Sequence, residues 1–139
     1  MQTAERWDQD TAEMPRILVV EDDRVDRQTI WRALRKIDRE LDIQFAVTIE
    51  DARRRLATTS FRGIVLDNTL PDGFGADLAV ELSVHETLSR LPVFILSGWP
   101  SPFMETKAEE ANVCEVLTKD SFGEDAARRM VAAFLRREL

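Results

Sequence analysis

The chain has 139 residues, a formal net charge of -7 and a single cysteine. This length fits one domain with its own core, and no apolar run approaches the roughly 20 residues of a membrane span. The acidic balance argues against a nucleic-acid partner, which would require a basic surface. Because Cys114 alone cannot form an internal disulfide, we expect a cytoplasmic protein. We expect residues 1–15 to form a polar tail and residues 16–139 to form the domain.

The first predicted elements are a buried strand and an amphipathic helix. Residues 17–20 are four consecutive apolar residues, which predict a strand covered on both faces. Three acids, Glu21, Asp22 and Asp23, follow this strand directly. Beyond them, apolar residues recur at helical spacing at Ile30, Leu34, Ile37 and Leu41.

The middle of the chain predicts two more strands and two more helices. Residues 42–47 alternate apolar and polar side chains, as in a strand, and Thr48 is a predicted cap of the next helix. Residues 61–66 form an apolar strand that ends at Asp67. A loop rich in proline and glycine follows, and a helical stripe resumes at Leu78, Leu82 and Leu88.

The last part of the chain predicts a fourth and a fifth strand–helix unit. Residues 92–96 read as a strand that ends at Ser97, and Ser101 is a predicted helix cap. Residues 115–117 form a brief strand before Thr118 and Lys119. Ser121 and Glu124 match a capping box that would open the last helix.

Five strand–helix units with nearly continuous apolar strands predict a parallel sheet covered by helices on both faces. Functional sites of such sheets lie beyond the carboxyl ends of the strands. The polar residues predicted at that edge are Glu21, Asp22, Asp23, Asp67, Ser97 and Lys119. Each of them alone fits a turn, a helix cap or a surface charge. Their common placement at one edge instead indicates a functional site.

The chemistry of this predicted site follows from its charges. Carboxylates gathered at one edge repel one another unless a cation lies between them, and oxygen ligands without His or Cys favour Mg²⁺. An acid beside Mg²⁺ and a lysine can attack phosphorus, because both cations offset the charge of the phosphoryl oxygens. Asp67 is the candidate nucleophile, with Lys119 as the lysine and Ser97 as a hydrogen-bond donor to a phosphoryl oxygen.

From residue 16 onward, the sequence resembles the receiver domain of two-component response regulators, of the stand-alone type. The resemblance rests on Ile-Leu-Val-Val-Glu-Asp-Asp at 17–23, Ile-Val-Leu-Asp at 64–67, Leu-Pro-Asp-Gly at 70–73, Ile-Leu-Ser-Gly at 95–98 and Leu-Thr-Lys at 117–119. The intervals between these motifs are also similar to those of compact receivers. The resemblance implies a flavodoxin-like doubly wound α/β fold with a five-stranded parallel sheet of order 2-1-3-4-5.

The same resemblance implies roles for the acids. Asp67 would be the phosphoacceptor. Asp22 and Asp23 would be the acidic pair around Mg²⁺, with Asp23 as the direct ligand. Asp67 itself and the backbone carbonyl of Thr69 would complete the coordination. Mn²⁺ is the alternative metal.

The resemblance also implies a switch and its partners. Ser97 would be the switch hydroxyl, and Lys119 would pair first with the acid and then with its phosphoryl group. The phosphoryl donor would be a histidine kinase or a histidine phosphotransfer protein, and the signal would pass to a downstream protein partner. Such a protein is a signalling switch with self-catalysed phosphotransfer and dephosphorylation, and not a metabolic enzyme.

Four positions depart from the usual receiver pattern. Asp120 follows Lys119 where receivers usually have proline, and Val116 stands where many have an aromatic residue. Gly98 and Trp99 follow the switch residue where a small alanine is common. We expect Trp99 and Val116 to belong to a partner face, and a homodimer through the fourth helix, fifth strand and fifth helix is left open.

Three other functions were weighed against this one. A phosphorylation-independent receiver that acts as an interaction or dimerisation module would keep the fold, and Val116 and Asp120 motivate it. A haloacid-dehalogenase-like phosphatase would need a second Asp two residues after its nucleophile, where this chain has Thr69. A flavodoxin-type FMN site is weaker still, because no phosphate-binding loop follows the first strand.

Overall fold

The computed structural model describes residues 14–136, and the predicted tail lies almost entirely outside this part. Within it, five strands form one sheet: β1 (Arg16–Val20), β2 (Asp42–Ala46), β3 (Gly63–Asp67), β4 (Val93–Ser97) and β5 (Glu115–Thr118). The helices of the same part are α1 (Arg24–Ile37), α2 (Ile49–Thr58), α3 (Gly75–Ser83), α4 (Pro102–Glu110) and α5 (Glu124–Leu135). None of these helices is long and apolar enough to cross a membrane.

The sheet has the order β2-β1-β3-β4-β5, and its neighbouring strands all pair in parallel. The predicted flavodoxin-like fold with order 2-1-3-4-5 is therefore confirmed. A short antiparallel ribbon, Thr69–Leu70 with Gly73–Phe74, follows β3 and leads into α3. This ribbon shapes the loop that follows Asp67.

The core consists of two apolar clusters, one on each face of the sheet. Successive side chains of a strand point to opposite faces. In β1, Ile17 and Val19 therefore pack in the cluster under α1 and α5, while Leu18 and Val20 pack in the cluster under α2, α3 and α4. All four residues are fully buried, which explains why the strand is an unbroken apolar run.

Helix capping agrees with the sequence at two positions. Thr48 accepts a hydrogen bond from the Asp51 N–H at the start of α2, and Ser101 accepts one from Met104 at the start of α4. Both caps satisfy backbone donors that have no partner within the helix. The predicted positions of these two helix starts are confirmed.

The structure corrects the ends of two helices. Helix α1 ends at Ile37, and the buried residue Leu41 lies in the connection that follows the helix. Helix α3 ends at Ser83, while Leu88 lies in a separate 3-10 turn. In both cases the apolar spacing marks a residue that contacts the core, Leu41 fully buried and Leu88 partly buried, but the residue lies outside the helix.

The predicted capping box of the last helix is wrong. The hydroxyl of Thr118 accepts a hydrogen bond from the Ser121 N–H at 3.1 Å, which places Ser121 in a 3-10 turn. Helix α5 then begins at Glu124, after Gly123 at its cap position. The local hydrogen bond from Thr118 outcompetes the cap that the sequence pattern favours.

Candidate functional site

The carboxyl ends of the parallel strands bring the predicted site residues to one edge of the sheet. Asp67 is the last residue of β3 and Ser97 the last residue of β4, and both are buried. Lys119 follows β5 directly. Glu21 follows β1, and its N–H donates to the Ala46 carbonyl at 2.9 Å, so the strand pairing continues into the first acid.

Three carboxylates meet at this edge. One oxygen each of Glu21, Asp22 and Asp67 lies within 4.8 Å of the others. Arg27 braces the turn between them, because its Nη1 donates to the carbonyl oxygens of Glu21 and Asp22 at 3.1 and 3.0 Å. The sequence did not assign a role to Arg27, which lies on the first helix six positions after Glu21.

The acidic pair differs by one position from the pair expected from the sequence. Asp23 is the N-cap of α1: its carboxylate accepts a hydrogen bond from the Asp26 N–H at 2.9 Å and is not part of the three-carboxylate cluster. Glu21, and not Asp23, lies with Asp22 and Asp67 in this cluster. The role of Asp23 as the direct metal ligand stays a prediction, and in the structure its carboxylate caps α1.

Lys119 lies beside three acidic side chains. Its Nζ is 2.8 Å from Asp26, 3.0 Å from Glu21 and 3.3 Å from Asp67. Glu21 and Asp67 were predicted at this edge, whereas Asp26 was not singled out. The lysine therefore offsets part of the negative charge that the strand ends bring together.

Burial and charge shift the pKa values of these groups. Burial raises the pKa of Glu21 to about 7, although its hydrogen bond from the Asp23 N–H and the nearby Lys119 act in the opposite direction. Burial also raises the pKa of Asp67, against the charge of Lys119. Burial lowers the pKa of Lys119, but Asp26, Glu21 and Asp67 outweigh it and raise this pKa above its usual range.

The donor set of the cluster fits a hard divalent cation. Oε1 of Glu21 is buried and accepts no hydrogen bond from the described residues, although the Lys119 ammonium lies 3.0 Å away. Buried carboxylates are costly unless cations offset their charge, and one ammonium cannot neutralise the three carboxylates of the cluster. Oxygen ligands without His or Cys are those that Mg²⁺ and Mn²⁺ prefer.

The loop after Asp67 is fixed to the helices on both sides. Asn68, buried at the end of β3, accepts the Ala76 N–H with Oδ1 at 2.9 Å. Asp72 accepts the N–H groups of Ile49 and Glu50 at 2.8 and 3.0 Å, and these bonds lower its pKa. Because α2 and α3 both hold this loop, the position of the Asp67 carboxylate depends on the start of each helix.

Gly75 gives a direct test of how tightly the site is built. A Cβ at this position would lie 2.3 Å from the backbone carbonyl oxygen of Asp67, which cannot move without shifting β3. We expect Gly75→Ala to lower the free energy of unfolding by about 1–3 kcal/mol, measured by urea denaturation. Gly98→Ala is the matched control, because a Cβ there would meet no atom within 4 Å. Equal stability of the two variants would contradict this description of the loop.

Of the predicted switch and partner residues, Ser97 and Trp99 lie next to one another at this edge. The hydroxyl of Ser97 accepts a hydrogen bond from the backbone N–H of Trp99 at 3.2 Å. The Trp99 side chain is 90% exposed, and Phe103 on α4 is 71% exposed. Val116 in β5 is partly buried against the cluster under α4. The structure therefore brings Ser97 and Trp99 together, while Val116 lies on the neighbouring strand.

Comparisons with known proteins agree with this fold. The structures similar to the chain include a two-component response regulator from Legionella pneumophila, with 24% identity, a TM-score of 0.77, and coverage of 86% of this chain and 97% of that one. The Mn²⁺-bound response regulator Rcp1 has 22% identity, a TM-score of 0.72, and coverage of 85% and 90%. The BeF3-activated DrrB receiver domain has 26% identity, a TM-score of 0.73, and coverage of 89% and 99%.

A family comparison agrees with these structural neighbours. None of the curated proteins compared with the chain matches it. The family model described as the response regulator receiver domain matches residues 17–132, which include the acidic edge and all five strands except Arg16, the first residue of β1. The chain therefore belongs to the response regulator receiver domains.

Proposed function

We propose that this protein is a phosphorylation-dependent signalling switch that accepts a phosphoryl group on Asp67. The observation that carries the proposal is the buried Asp67 carboxylate, which lies 3.3 Å from Lys119 and within the cluster of Glu21 and Asp22. The donor would be the phosphohistidine of a histidine kinase or a phosphotransfer protein. We also propose the cytoplasmic location that the sequence indicates.

The proposed reaction uses Asp67 as the nucleophile. One carboxylate oxygen of Asp67 attacks the phosphorus, the phosphorus–nitrogen bond of the donor breaks, and an acyl phosphate forms. Lys119 then pairs with the phosphoryl oxygens. Water later attacks the phosphorus, which releases phosphate and regenerates the carboxylate. These self-catalysed steps serve signalling and not metabolic turnover.

Mg²⁺, with Mn²⁺ as the alternative, would supply positive charge to the transferring phosphoryl oxygens. The residues that would hold it are Glu21, Asp22, Asp67 and the backbone carbonyl of Thr69. Glu21 supports this assignment because its buried Oε1 accepts no hydrogen bond from the described residues, and the nearby Lys119 ammonium also pairs with Asp26 and Asp67. The relative Rcp1 is described as Mn²⁺-bound, which supports a divalent cation in this family.

Ser97 would report the state of Asp67. Its hydroxyl accepts the Trp99 N–H, and it would turn to donate to a phosphoryl oxygen. The backbone N–H of Trp99 would then lose its hydrogen-bond acceptor, so the exposed indole of the same residue would move with the switch. We propose that Trp99 and Val116 belong to the face that binds the downstream protein or a second copy of the chain.

Phosphorylation by a small donor tests the proposal. Acetyl phosphate with Mg²⁺ is expected to give one acid-stable, base-labile phosphoryl group per chain, located on Asp67 by peptide mass spectrometry. Excess chelator is expected to prevent the reaction, and Asp67→Asn is expected to abolish it. The proposal fails if the wild type takes no label, or if Asp67→Asn takes the same label.

A further inference from the structure

Asp26 provides a further carboxylate beside Lys119. Its Oδ2 accepts a hydrogen bond from Lys119 Nζ at 2.8 Å, and this is the shortest contact of Nζ with a carboxylate among residues 14–136. The Asp26 side chain is 36% exposed, whereas those of Glu21 and Asp67 are 1% and 6% exposed. Lys119 is therefore held toward the solvent side of the site.

Asp26 contacts the lysine without joining the acidic cluster. The three grouped carboxylates are those of Glu21, Asp22 and Asp67, and Asp26 is not among them. Its position is set by the helix, because the Asp26 N–H donates to the Asp23 cap at 2.9 Å in the first turn of α1. The side chain can therefore be changed while the cap hydrogen bond, made by the backbone, remains.

We propose that Asp26 is a positioning residue that restrains Lys119 and weakens its hold on the phosphoryl group of Asp67. The proposal rests on the proposed function given above. A lysine ammonium has three N–H donors, and three carboxylates surround this one. A phosphoryl oxygen must compete for a donor with Asp26.

The negative charge of Asp26 also weakens binding of a phosphoryl group. Asp26 neutralises part of the Lys119 charge and adds a negative charge near the oxygen to which an anionic phosphoryl group would be attached. Like charges at short distance disfavour one another, and the effect is moderate because solvent reaches Asp26. Asp26 thus shortens the lifetime of the phosphorylated state and limits the occupancy that a given donor achieves.

The affinity for beryllofluoride, a phosphoryl mimic, tests the proposal. At saturating Mg²⁺, Asp26→Ala is expected to bind beryllofluoride about two- to fivefold more tightly than the wild type, the range expected for loss of a partly exposed ion pair. The acyl phosphate of this variant is expected to hydrolyse more slowly. Asp26→Glu keeps the carboxylate and is expected to stay near the wild-type affinity.

Asp120→Asn is the matched control. Asp120 is exposed and directly follows Lys119, but it is not among the carboxylates that pair with Lys119 in the described part of the chain. Its removal takes away one negative charge without freeing the lysine, so the affinity is expected to change little. An equal gain in both variants would overturn the proposal, because a general charge effect would then explain it.

The remaining outcomes separate this proposal from the function on which it rests. A wild type that binds beryllofluoride, with Asp26→Ala binding equally or more weakly, overturns the role of Asp26 alone. A wild type that fails to bind overturns the proposed function and this role together. A purely structural role for Asp26 would weaken the site on substitution, which is the opposite sign from the expected gain.

Discussion

Without a divalent cation, replacing Glu21 with glutamine is expected to remove a pH-dependent loss of stability. The pKa of Glu21 is about 7 in the folded protein, against an ordinary value of 4.5, mainly because of burial. Between these values the unfolded chain has lost its proton while the folded protein keeps it. The stabilising contribution of the protonated carboxyl is complete below pH 4.5 and disappears as the pH rises through 7.

Glutamine has no proton to lose, so the variant becomes more stable relative to the wild type as the pH rises. We expect the difference in free energy of unfolding, variant minus wild type, to grow by about 2–3 kcal/mol from pH 5 to pH 8, measured by urea denaturation with chelator. Glu105→Gln changes an exposed carboxylate on α4 and is expected to leave the slope unchanged.

Added Mg²⁺ should reverse the stability difference between the two proteins, because a cation favours the ionised form of Glu21. Saturating Mg²⁺ is expected to stabilise the wild type more than Glu21→Gln at pH 8. If the two proteins show the same pH dependence with chelator, Glu21 does not carry the shifted titration, and its place in the cluster must be reconsidered.

Replacing Phe134 with alanine is expected to lower the free energy of unfolding by about 3–5 kcal/mol. Phe134 on α5 is 1% exposed, and its ring lies 5.6 Å from the ring of Phe94 in an edge-to-face contact. The ring also covers Gly63 at the start of β3, where a Cβ would lie 2.1 Å from Phe134 Cδ1. Its loss leaves a cavity between the sheet and α5.

Urea denaturation measures this cost, with Phe103→Ala as the control. Phe103 is 71% exposed, so its removal is expected to change stability by less than about 0.5 kcal/mol. In the Phe134→Ala background, Gly63→Ala is expected to be far less damaging than in the wild type, because the cavity accepts the added methyl group. Additive effects would contradict the close packing of these two residues.

Much of the fold could be predicted from apolar periodicity. Residues 17–20 form a fully buried strand because both of their faces are covered, and this is what an unbroken apolar run indicates. Leu41 is buried and Leu88 is partly buried against the core, but both lie beyond the ends of α1 and α3. Periodicity records burial, and the local turns that end a helix act independently of it.

The site could be predicted where topology decides it. Asp67, Ser97 and Lys119 lie at one edge because the parallel strands end there, and the sequence marks each of those ends. Three adjacent acids do not reveal which one continues the strand and which one caps the helix, so the position of Asp23 outside the cluster was not predicted. The spacing of Asp23 to Asp26 is that of a cap, and this signal could have separated Asp23 from Glu21 and Asp22.

The contact of Asp26 with Lys119 could not be predicted from a motif. The two residues are 93 positions apart, and their meeting depends on where α1 packs against the sheet edge. Neither the residue type of Asp26 nor its local spacing indicates that it contacts Lys119. Such contacts require the side-chain arrangement of the folded protein.

The order of strands in the sheet has a consequence for synthesis of the chain. β1 pairs with β2 and β3, and β3 in turn requires β4, so β3 lacks one neighbour until residues 93–97 have emerged from the ribosome. Lys119 arrives later still, after β5. Until Lys119 has emerged, the Asp67 carboxylate lacks the ammonium that lies 3.3 Å from it in the folded protein.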